Sequence, residues 1–594
     1  MKVRERSEID NKFKWKLEDI YETESLWNAD FEKAKDLSKN FSTFQGKLFE
    51  DKDNIFACLK LEDEVFCIIE KLFVYAKMRL DQDCTVNMYK KMVAQVESLS
   101  VDISTKTAFI RPELTKNSED YLLSLSKDKQ FSDYSYSLEL LAKDKIHTLS
   151  TQEELILARS GRFTELFQEA FSMFDDADVK FDDFINDKGE TVKLSHGIYG
   201  LYMQTGSREE RKKAFESMFS AYKQNIDVIS TLYKGNVEKD NFYATVRKYE
   251  SCLDRATSRE NVPMSVYKKL IENVHNSLPM LHDYMKYRKD TLKYDELHMY
   301  DLHMPLVKNV DKNIEYEEAK QIVLDALAPL GEEYHNLLLT AFNSGWIDVY
   351  ENKNKRCGAY SWGSFGTHPY VLLNYQPVLN EVFTIAHELG HSMHTYYSNK
   401  NQPYAKAGYE IFVAEVASTV NETLLVLHLL KDAQGDYKKY LLSYLLNMFR
   451  TTVFRQAQFA EFEVKAHEFV EKDIPLTPDT LNETYYELNK KYYGNDVVSD
   501  ELIKYEWARI PHFYNSFYVY KYSTGLISAV CIAKYILEEG EEAVKNYKKF
   551  LSAGGSMPPV EILKLVNVDL TSDAPYKKAF DFYKETLEEL KKMD

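Results

Sequence analysis

The stretch from Cys357 to Asn380 constrains the fold most strongly, because its 24 residues contain no Asp, Glu, Lys or Arg. Charged residues make up 29% of the chain, so about seven would be expected there. Aromatic and β-branched residues surround Gly358 and recur from Tyr370 to Tyr375, which predicts two buried or half-buried strands joined by a glycine-containing turn. The residues that follow decide whether this is an ordinary core hairpin or a sheet beside an active site.

A helix is predicted directly after these strands, since apolar residues recur every three or four positions from Val382 to Tyr396 and Asn380 can cap its first turn. His387 and His391 are four residues apart, so their imidazoles project from one face about one turn apart. That separation suits two ligands of one tetrahedral zinc ion, with Glu388 beside them as a general base.

A zinc ion that stays open for catalysis takes three protein ligands, so a carboxylate is expected from a second helix. The candidates are Glu410, Glu415 and Glu422. Glu415 is favoured because it lies in an apolar segment, where an unpaired carboxylate would be costly unless a metal ion held it. Ser418 and Glu422 follow on the same stripe and are predicted to orient the ligands, while His394 is a plain helix residue or a further donor to a ligand.

Two other HExxH architectures were compared with this pattern. The metzincin arrangement needs Gly and His at positions 394 and 397, whereas the chain has His394 and Tyr397, so that arrangement is excluded. Glu410 stays open as a ligand, because some HExxH aminopeptidases take a glutamate at about that distance. Those enzymes usually carry a Gly-x-Met-Glu-Asn strand for the free amine, and this chain has Gly358-Ala359-Tyr360-Ser361-Trp362 instead.

Helical periodicity dominates the rest of the chain, with capping boxes predicted at Ser150, Ser207 and Thr480. A hairpin is predicted from Val179 to Leu194 around Asn186-Asp187-Lys188-Gly189, and it interrupts the helical run. We therefore predict an N-terminal helical domain over residues 1–200 and a catalytic metallopeptidase domain over residues 201–594.

The composition excludes several functions. The chain has 76 Lys and Arg against 94 Asp and Glu, a formal charge of −18, and no basic patch offsets it. Nucleic-acid and membrane-surface partners are therefore disfavoured, and cationic peptides are favoured. The six cysteines form no CxxC pair, the N-terminus lacks the apolar region of a signal peptide, and no run of 18 apolar residues occurs. A cytoplasmic protein is expected, with no signal for an oligomeric state.

The segment from Arg509 to Tyr522 places His512 and four tyrosines within eleven positions. Neutral phenols and imidazoles in a buried site can donate hydrogen bonds to a developing oxyanion. The alternative is that these rings are ordinary core aromatics.

Several motifs spread over nearly the whole chain resemble oligoendopeptidase F, in the thimet oligopeptidase family of zinc peptidases. They are His387-Glu-Leu-Gly-His-Ser-Met-His394, Lys355-Arg-Cys-Gly-Ala-Tyr360, Phe412-Val-Ala-Glu-Val-Ala-Ser418, the Pro511–Tyr522 segment, Trp15-Lys-Leu-Glu-Asp-Ile-Tyr21, Arg211-Lys-Lys-Ala-Phe-Glu-Ser217 and Leu297-His-Met-Tyr-Asp301.

The resemblance implies a mainly α fold. In it, a two-lobed helical shell encloses a deep channel that admits short peptides, and a small β-sheet lies beside the HExxH helix of a thermolysin-like zincin core. It also implies that His512 and nearby tyrosines contact the substrate carbonyl. Tyr518 and Tyr522 are our choices, since Tyr520 lies on the other side of a helix. The loop here is less rich in glycine than the family's, and its spacing after the histidine is slightly shorter.

The predicted function is therefore that of an endopeptidase with one zinc ion, which hydrolyses internal bonds of short oligopeptides with Glu388 as the base. Gly358, Ala359 and Tyr360 are predicted to pair with the substrate backbone as an added strand. An HExxH-class carboxypeptidase or other exopeptidase is the alternative. An inactive peptide-binding relative is disfavoured, because a pure binder has no need for Glu388. The same nitrogen and oxygen ligands could accept manganese or cobalt in vitro.

Overall fold

The computed structural model describes residues 3–307 and 313–593, and it is mainly helical, as the periodicity predicts. In chain order the α-helices are α1 (Glu24–Leu37), α2 (Lys52–Gln82), α3 (Asn87–Thr107), α4 (Ile110–Leu114), α5 (Glu119–Ser126), α6 (Ser135–Asp144), α7 (Thr151–Thr164), α8 (Leu166–Met173), α9 (His196–Thr205), α10 (Arg208–Gln224), α11 (Ile226–Val246), α12 (Cys252–Arg259), α13 (Met264–Leu292), α14 (Tyr316–Ala326), α15 (Glu332–Asn343), α16 (Leu379–Asn401), α17 (Tyr404–Ala407), α18 (Ile411–Asp432), α19 (Gly435–Phe449), α20 (Arg455–Glu471), α21 (Pro478–Tyr493), α22 (Tyr520–Glu539), α23 (Glu541–Leu551), α24 (Pro559–Lys564) and α25 (Ala574–Lys591). The strands are β1 (Phe184–Ile185), β2 (Thr191–Val192), β3 (Leu297–His298), β4 (Ile347–Asp348), β5 (Tyr360–Trp362), β6 (Tyr370–Leu372) and β7 (Val497–Val498).

Local sequence accounts for where several helices begin and end. Ser150 and Ser207 form the predicted capping boxes of α7 and α10. The capping box predicted at Thr480 is wrong, because Thr477 caps α21 and a proline, well suited to a first helical turn, follows it. Gly494 ends α21 with a φ of 68°, a backbone conformation that glycine adopts without strain.

The chain folds into two compact units that alternate along the sequence. The first unit comprises Met1–Thr148, Asp311–His428 and Ile532–Val568, and the second comprises Leu149–Val310, Leu429–Cys531 and Asp569–Asp594. The predicted boundary between residues 200 and 201 falls within α9, a helix of the second unit. That division into two sequential domains stays a prediction.

A three-stranded sheet in the first unit supports the site. Its order is β4–β6–β5, with β4 parallel and β5 antiparallel to β6, so β5 is an edge strand. The Ser361 Oγ on β5 lies 2.8 Å from the Ser392 Oγ on α16, which holds the sheet against that helix. The prediction of two strands before the HExxH helix is confirmed, as is the hairpin of β1 and β2 in the second unit.

A buried ionic network holds the segment between β4 and β5. The side chain of Lys355 is fully buried, and its Nζ lies 2.7 Å from the Asp348 carboxylate and 2.5 Å from the Leu373 carbonyl oxygen. Arg6 also pairs with Asp348. Burial alone would raise the pKa of Asp348, but the charges of Lys355 and Arg6 hold it below its ordinary value. The strand that leads into the site is therefore rigidly anchored.

Helix α18 has the length and hydropathy of a membrane span, which no other described helix has. More than half of its apolar window is buried within the protein, and a core helix passes the same test. Asn421 near its middle is also buried and makes hydrogen bonds to other elements of the first unit. These are the features of a core helix.

Candidate active site

Helix α16 presents its two histidines opposite a buried apolar face. It begins at Leu379 and follows Val378 rather than the predicted cap Asn380, which lies within the first turn. The buried apolar residues on it are Leu379, Val382, Phe383, Ile385, Ala386, Leu389 and Met393. His387 and His391 stay only partly buried, and so their ring nitrogens are accessible.

Helices α16 and α18 approach each other closely at Gly390. A Cβ atom at that position would lie 2.5 Å from the Ser418 Cα and 2.6 Å from the Ala417 carbonyl oxygen, closer than real Cβ contacts occur. One turn along, the Asn421 Nδ2 donates a hydrogen bond to the Ala386 carbonyl oxygen at 3.0 Å. Neither Gly390 nor Asn421 is among the residues predicted from the sequence, although a glycine inside a helical pattern signals a close contact.

This contact brings three ligand atoms together. The Nε2 atoms of His387 and His391 lie 3.2 Å apart, and the Glu415 Oε2 lies 3.4 Å from the first and 3.3 Å from the second. A tetrahedral zinc ion with bonds of about 2.1 Å needs ligand atoms about 3.4 Å apart. The triangle therefore has the dimensions that one ion requires. Glu410, the alternative third ligand, is not part of this group.

Two further residues hold the ligands in place. Glu422 accepts a hydrogen bond from the Nδ1 of His387, so that a metal ion which displaces the second proton of that ring would bind at Nε2. The Ser418 Oγ donates to the Glu415 Oε2 at 3.1 Å and to the Glu415 carbonyl oxygen at 2.9 Å. Ser418 and Glu422 follow Glu415 by three and seven residues, so all three lie on one face of α18, as predicted from the spacing.

His394 is not brought to the ligand atoms. Its ring stacks on Tyr409 with centroids 3.7 Å apart, and its Nδ1 is buried without a hydrogen-bond partner among the described residues. Burial and the nearby His391 lower the pKa of His394 to about 3, so the ring is neutral. The packing agrees with the first of the two predicted roles of His394, that of a plain helix residue, and a role as a donor to a ligand stays a prediction.

The predicted substrate strand leads into β5. Gly358 is exposed and has a φ of 84°, and a side chain there would meet nothing within 4 Å. Its carbonyl oxygen already accepts from the Asn374 Nδ2 at 2.8 Å. Ala359 and Tyr360 are half-buried, and the Tyr360 hydroxyl donates to the Asp81 Oδ2 at 2.9 Å. The hydroxyl of Tyr360 is therefore already hydrogen-bonded within the first unit, and only the backbone groups of this segment are available to bind a ligand.

The second unit brings His512, Tyr518 and Tyr522 together. The Tyr522 hydroxyl lies 3.2 Å from the His512 Nε2, and the Tyr518 ring stacks on His512 and meets Tyr522 edge-on. Tyr514 and Tyr520 are almost fully buried and belong to the core, with Tyr520 facing Glu260 and Tyr514 stacked on a phenylalanine. The grouping agrees with the choice of Tyr518 and Tyr522, whose catalytic role stays a prediction.

Phe517 turns the chain between these two sets of side chains. It has a φ of 60°, which is strained for a phenylalanine, and its N–H donates to the buried Glu463 Oε1 at 3.0 Å. Asn236 holds the same loop by donating to the Phe513 carbonyl oxygen at 3.2 Å. The loop therefore buries Phe513 and Phe517 and presents His512 and Tyr518 outward.

Comparison with known proteins identifies the family. A model of peptidase family M3 matches residues 201–582, and a model of oligopeptidase F matches residues 113–181. The chain belongs to peptidase family M3. It is 41% identical over 591 residues to oligopeptidase PepF of Bacillus subtilis (strain 168), an alignment that covers 99% of this chain and 88% of that protein.

Solved structures agree with this M3 membership. A crystal structure described as a peptidase from Chlamydophila abortus is 36% identical, with a TM-score of 0.93 and full coverage of both chains. That of oligoendopeptidase-F from Enterococcus faecium is 32% identical, with a TM-score of 0.75 over 96% of this chain and 99% of that one. The predicted enzyme class, an oligoendopeptidase F-type metallopeptidase that cleaves oligopeptides, is confirmed, as is the mainly helical fold with a small sheet beside the HExxH helix.

The charges of this M3 peptidase's site fit a divalent cation. Burial raises the pKa of Glu388, and Glu415 and Glu422 add to that effect against the two histidines. Burial would lower the pKa of His387, but hydrogen bonds to Glu415 and Glu422 raise it to about 10. Three carboxylates thus face two imidazoles, and a proton on His387 offsets part of the negative charge. A metal ion bound by two nitrogens and one oxygen would do so more fully.

We expect Gly390→Ala to weaken metal binding about tenfold or more, because the added methyl group forces α18 away from α16 and pulls Glu415 out of the triangle. Competition with a chromogenic chelator measures the affinity. The matched control is Gly200→Ala, a helical glycine whose added methyl would meet nothing within 4 Å. Equal affinity in the wild type and Gly390→Ala would contradict this account of the helix contact.

Proposed function

We propose that this M3 peptidase is a cytoplasmic, zinc-dependent endopeptidase that hydrolyses internal bonds of short oligopeptides. The observation that carries the proposal is the triangle of His387 Nε2, His391 Nε2 and Glu415 Oε2, with sides of 3.2 to 3.4 Å. Its edges and its mixed nitrogen and oxygen donors suit zinc. Membership in a metal-dependent family supports the same assignment.

Glu388 is the proposed general base. When bound, zinc supplies the Lewis acidity that activates water and polarises the scissile carbonyl at neutral pH. Glu388 directly follows His387 on α16 and is nearly buried, so its carboxylate is close to the ligands without being one of them. It takes the proton from the attacking water and passes it to the nitrogen of the leaving amine.

His512 and Tyr522 are proposed, from the family resemblance, to donate hydrogen bonds to the oxyanion of the tetrahedral intermediate, with Tyr518 packed against both rings. Burial lowers the pKa of His512, and the charge of Arg455 lowers it further, so the imidazole is neutral near pH 7. A neutral donor already in place stabilises a new negative charge without a prior proton transfer. The hydrogen bond between His512 and Tyr522 orients the pair.

The outer edge of β5, with Gly358 and Ala359 leading into it, is proposed to pair with the substrate backbone. An edge strand presents unpaired backbone groups, and an extended peptide can add to it as a further strand. Such pairing binds the peptide through its main-chain groups and therefore imposes little preference for particular substrate side chains. The channel that the resemblance implies stays an expectation, as does the restriction to short peptides that follows from it.

An internally quenched peptide blocked at both ends tests the proposal. We expect wild-type protein to cleave it at an internal bond and a chelator to abolish cleavage. Glu388→Gln should lower kcat by a factor of about 10³ while metal content is unchanged, because it removes the base and leaves the three ligands. Substantial residual activity in that variant would contradict the mechanism. Release of a terminal residue from a free peptide, without cleavage of the blocked one, would indicate an exopeptidase.

Tyr522→Phe tests the oxyanion donors. We expect kcat to fall about 100-fold with KM little changed, since the lost hydroxyl acts chiefly on the transition state. The matched control is Tyr520→Phe, which removes a buried hydroxyl that faces Glu260 and should leave kcat near the wild-type value. Equal kcat values for the wild type and Tyr522→Phe would contradict the assignment.

A further inference from the structure

Four arginines of the second unit, Arg288, Arg450, Arg455 and Arg509, lie in neighbouring elements. A π-helical turn separates Arg450 from Arg455. In the turn Arg450–Phe454 the N–H of Arg455 bonds to the carbonyl oxygen of Arg450, so the two residues follow each other on one side of the helix. Turns of this kind are rare and occur often at functional sites.

Glu506 neutralises one of the four. Its Oε1 lies 2.5 Å from an Arg455 nitrogen, and its Oε2 accepts a hydrogen bond from the buried Tyr485 hydroxyl. Arg509 ends the same 3₁₀ helix, Glu501–Arg509, one turn after Glu506. Burial would raise the pKa of Glu506, but Arg455, Tyr485 and, more weakly, the charge of Arg509 lower it, so one carboxylate offsets part of the charge of two arginines.

Arg288 and Arg450 are buried and donate hydrogen bonds to uncharged groups. Arg288 is fully buried and donates to the Met304 carbonyl oxygen at 2.5 Å and to the Tyr284 hydroxyl at 3.2 Å, while its Nε has no hydrogen-bond partner among the described residues. Arg450 is 2% exposed and donates to the Asn447 side chain. Within residues 3–307 and 313–593, Arg455 alone of the four has a carboxylate within 4.0 Å. Buried guanidinium groups without an anion are costly.

The field of these arginines reaches two histidines of the same unit. Besides burial, the charges of all four lower the pKa of His303, which lies between the Asp301 and Met304 carbonyls that Arg288 contacts. Arg455 likewise lowers the pKa of His512. The four positive charges therefore act together at His303, whereas Arg455 alone of the four acts on His512.

Arg509 is the arginine best placed to meet a ligand. It is partly exposed, its guanidinium lies 5.7 Å from the Tyr199 ring and makes a hydrogen bond with Tyr222, and its Nε is buried with no hydrogen-bond partner in the part of the chain that the structure describes. It is three residues before His512. A guanidinium group presents paired N–H donors that match a carboxylate.

We propose that this arginine cluster is a carboxylate-binding subsite for the peptide substrate, with Arg509 in contact with the carboxylate and Arg288, Arg450 and Arg455 supplying its field. The inference rests on the proposed function and specifies its substrates. The carboxylate belongs either to the C-terminus of the peptide or to an acidic side chain.

Two matched pairs of quenched peptides test the subsite. The first pair shares one sequence and ends in a free carboxylate or an amide; the second pair is amidated and carries Glu or Gln at one interior position. We expect wild-type kcat/KM to be about tenfold higher for the acidic member of at least one pair. Arg509→Met should bring that ratio near one while the neutral peptide keeps its rate, and Arg509→Lys should retain part of the preference.

The control variant is Lys234→Met, which removes an exposed positive charge of the same unit and should leave both ratios unchanged. Dependence on Arg509 in the first pair identifies the C-terminal carboxylate, and dependence in the second identifies an acidic side chain. Ratios of one in the wild type, or ratios that Arg509→Met does not change, would overturn the inference. If Arg509→Met is inactive, Arg509→Lys is used instead: a smaller acidic-to-neutral ratio of kcat/KM than in the wild type supports the inference, and an unchanged ratio overturns it. Failure of the wild type to cleave any of the four peptides would overturn the proposed function and, with it, this subsite.

Discussion

The close contact of α16 and α18 at Gly390 is the constraint on which the active site depends. Two histidines one turn apart on a helix provide only two ligands, and the third has to come from another helix at a distance set to a few tenths of an ångström. The absence of a side chain at Gly390 permits that distance. The hydrogen bond from Asn421 to the Ala386 carbonyl oxygen holds the helices in register. Glu415 and Glu422 then meet the histidines from one stripe of α18.

Much of this site follows from the sequence, because helical spacing and the cost of burying charge are local arguments. The four-residue spacing predicts His387 and His391, and the apolar surroundings of Glu415 favour it over Glu410. The structure groups these three residues, and their role as metal ligands stays a prediction. What could not be predicted depended on tertiary contacts or on competing local signals. His394 shares the face of its neighbours by spacing, yet it packs on Tyr409, a residue whose position no periodicity predicts. The capping pattern at Thr480 does not form, because α21 begins three residues earlier, where Thr477 is the cap and Pro478 is the first helical residue.

The arginine cluster shows the same limit for electrostatics. The formal charge of −18 predicts that cationic peptides are favoured, whereas four arginines from three separate segments act together on His303, and one of them, Arg455, also acts on His512. Neither composition nor spacing contains that information, because Arg288 and Arg509 are brought near each other only by the fold. Overall charge thus describes the long-range field, and the local cluster determines which groups are bound once a peptide has entered.

The central claim is that one zinc ion is held by His387, His391 and Glu415. Anomalous diffraction at the zinc edge, from crystals of active protein, tests it most directly. The account predicts one peak per chain, with bonds of about 2.1 Å to the Nε2 atoms of both histidines and to a carboxylate oxygen of Glu415. A fully active protein with no zinc, or an ion held by Glu410 in place of Glu415, would contradict it.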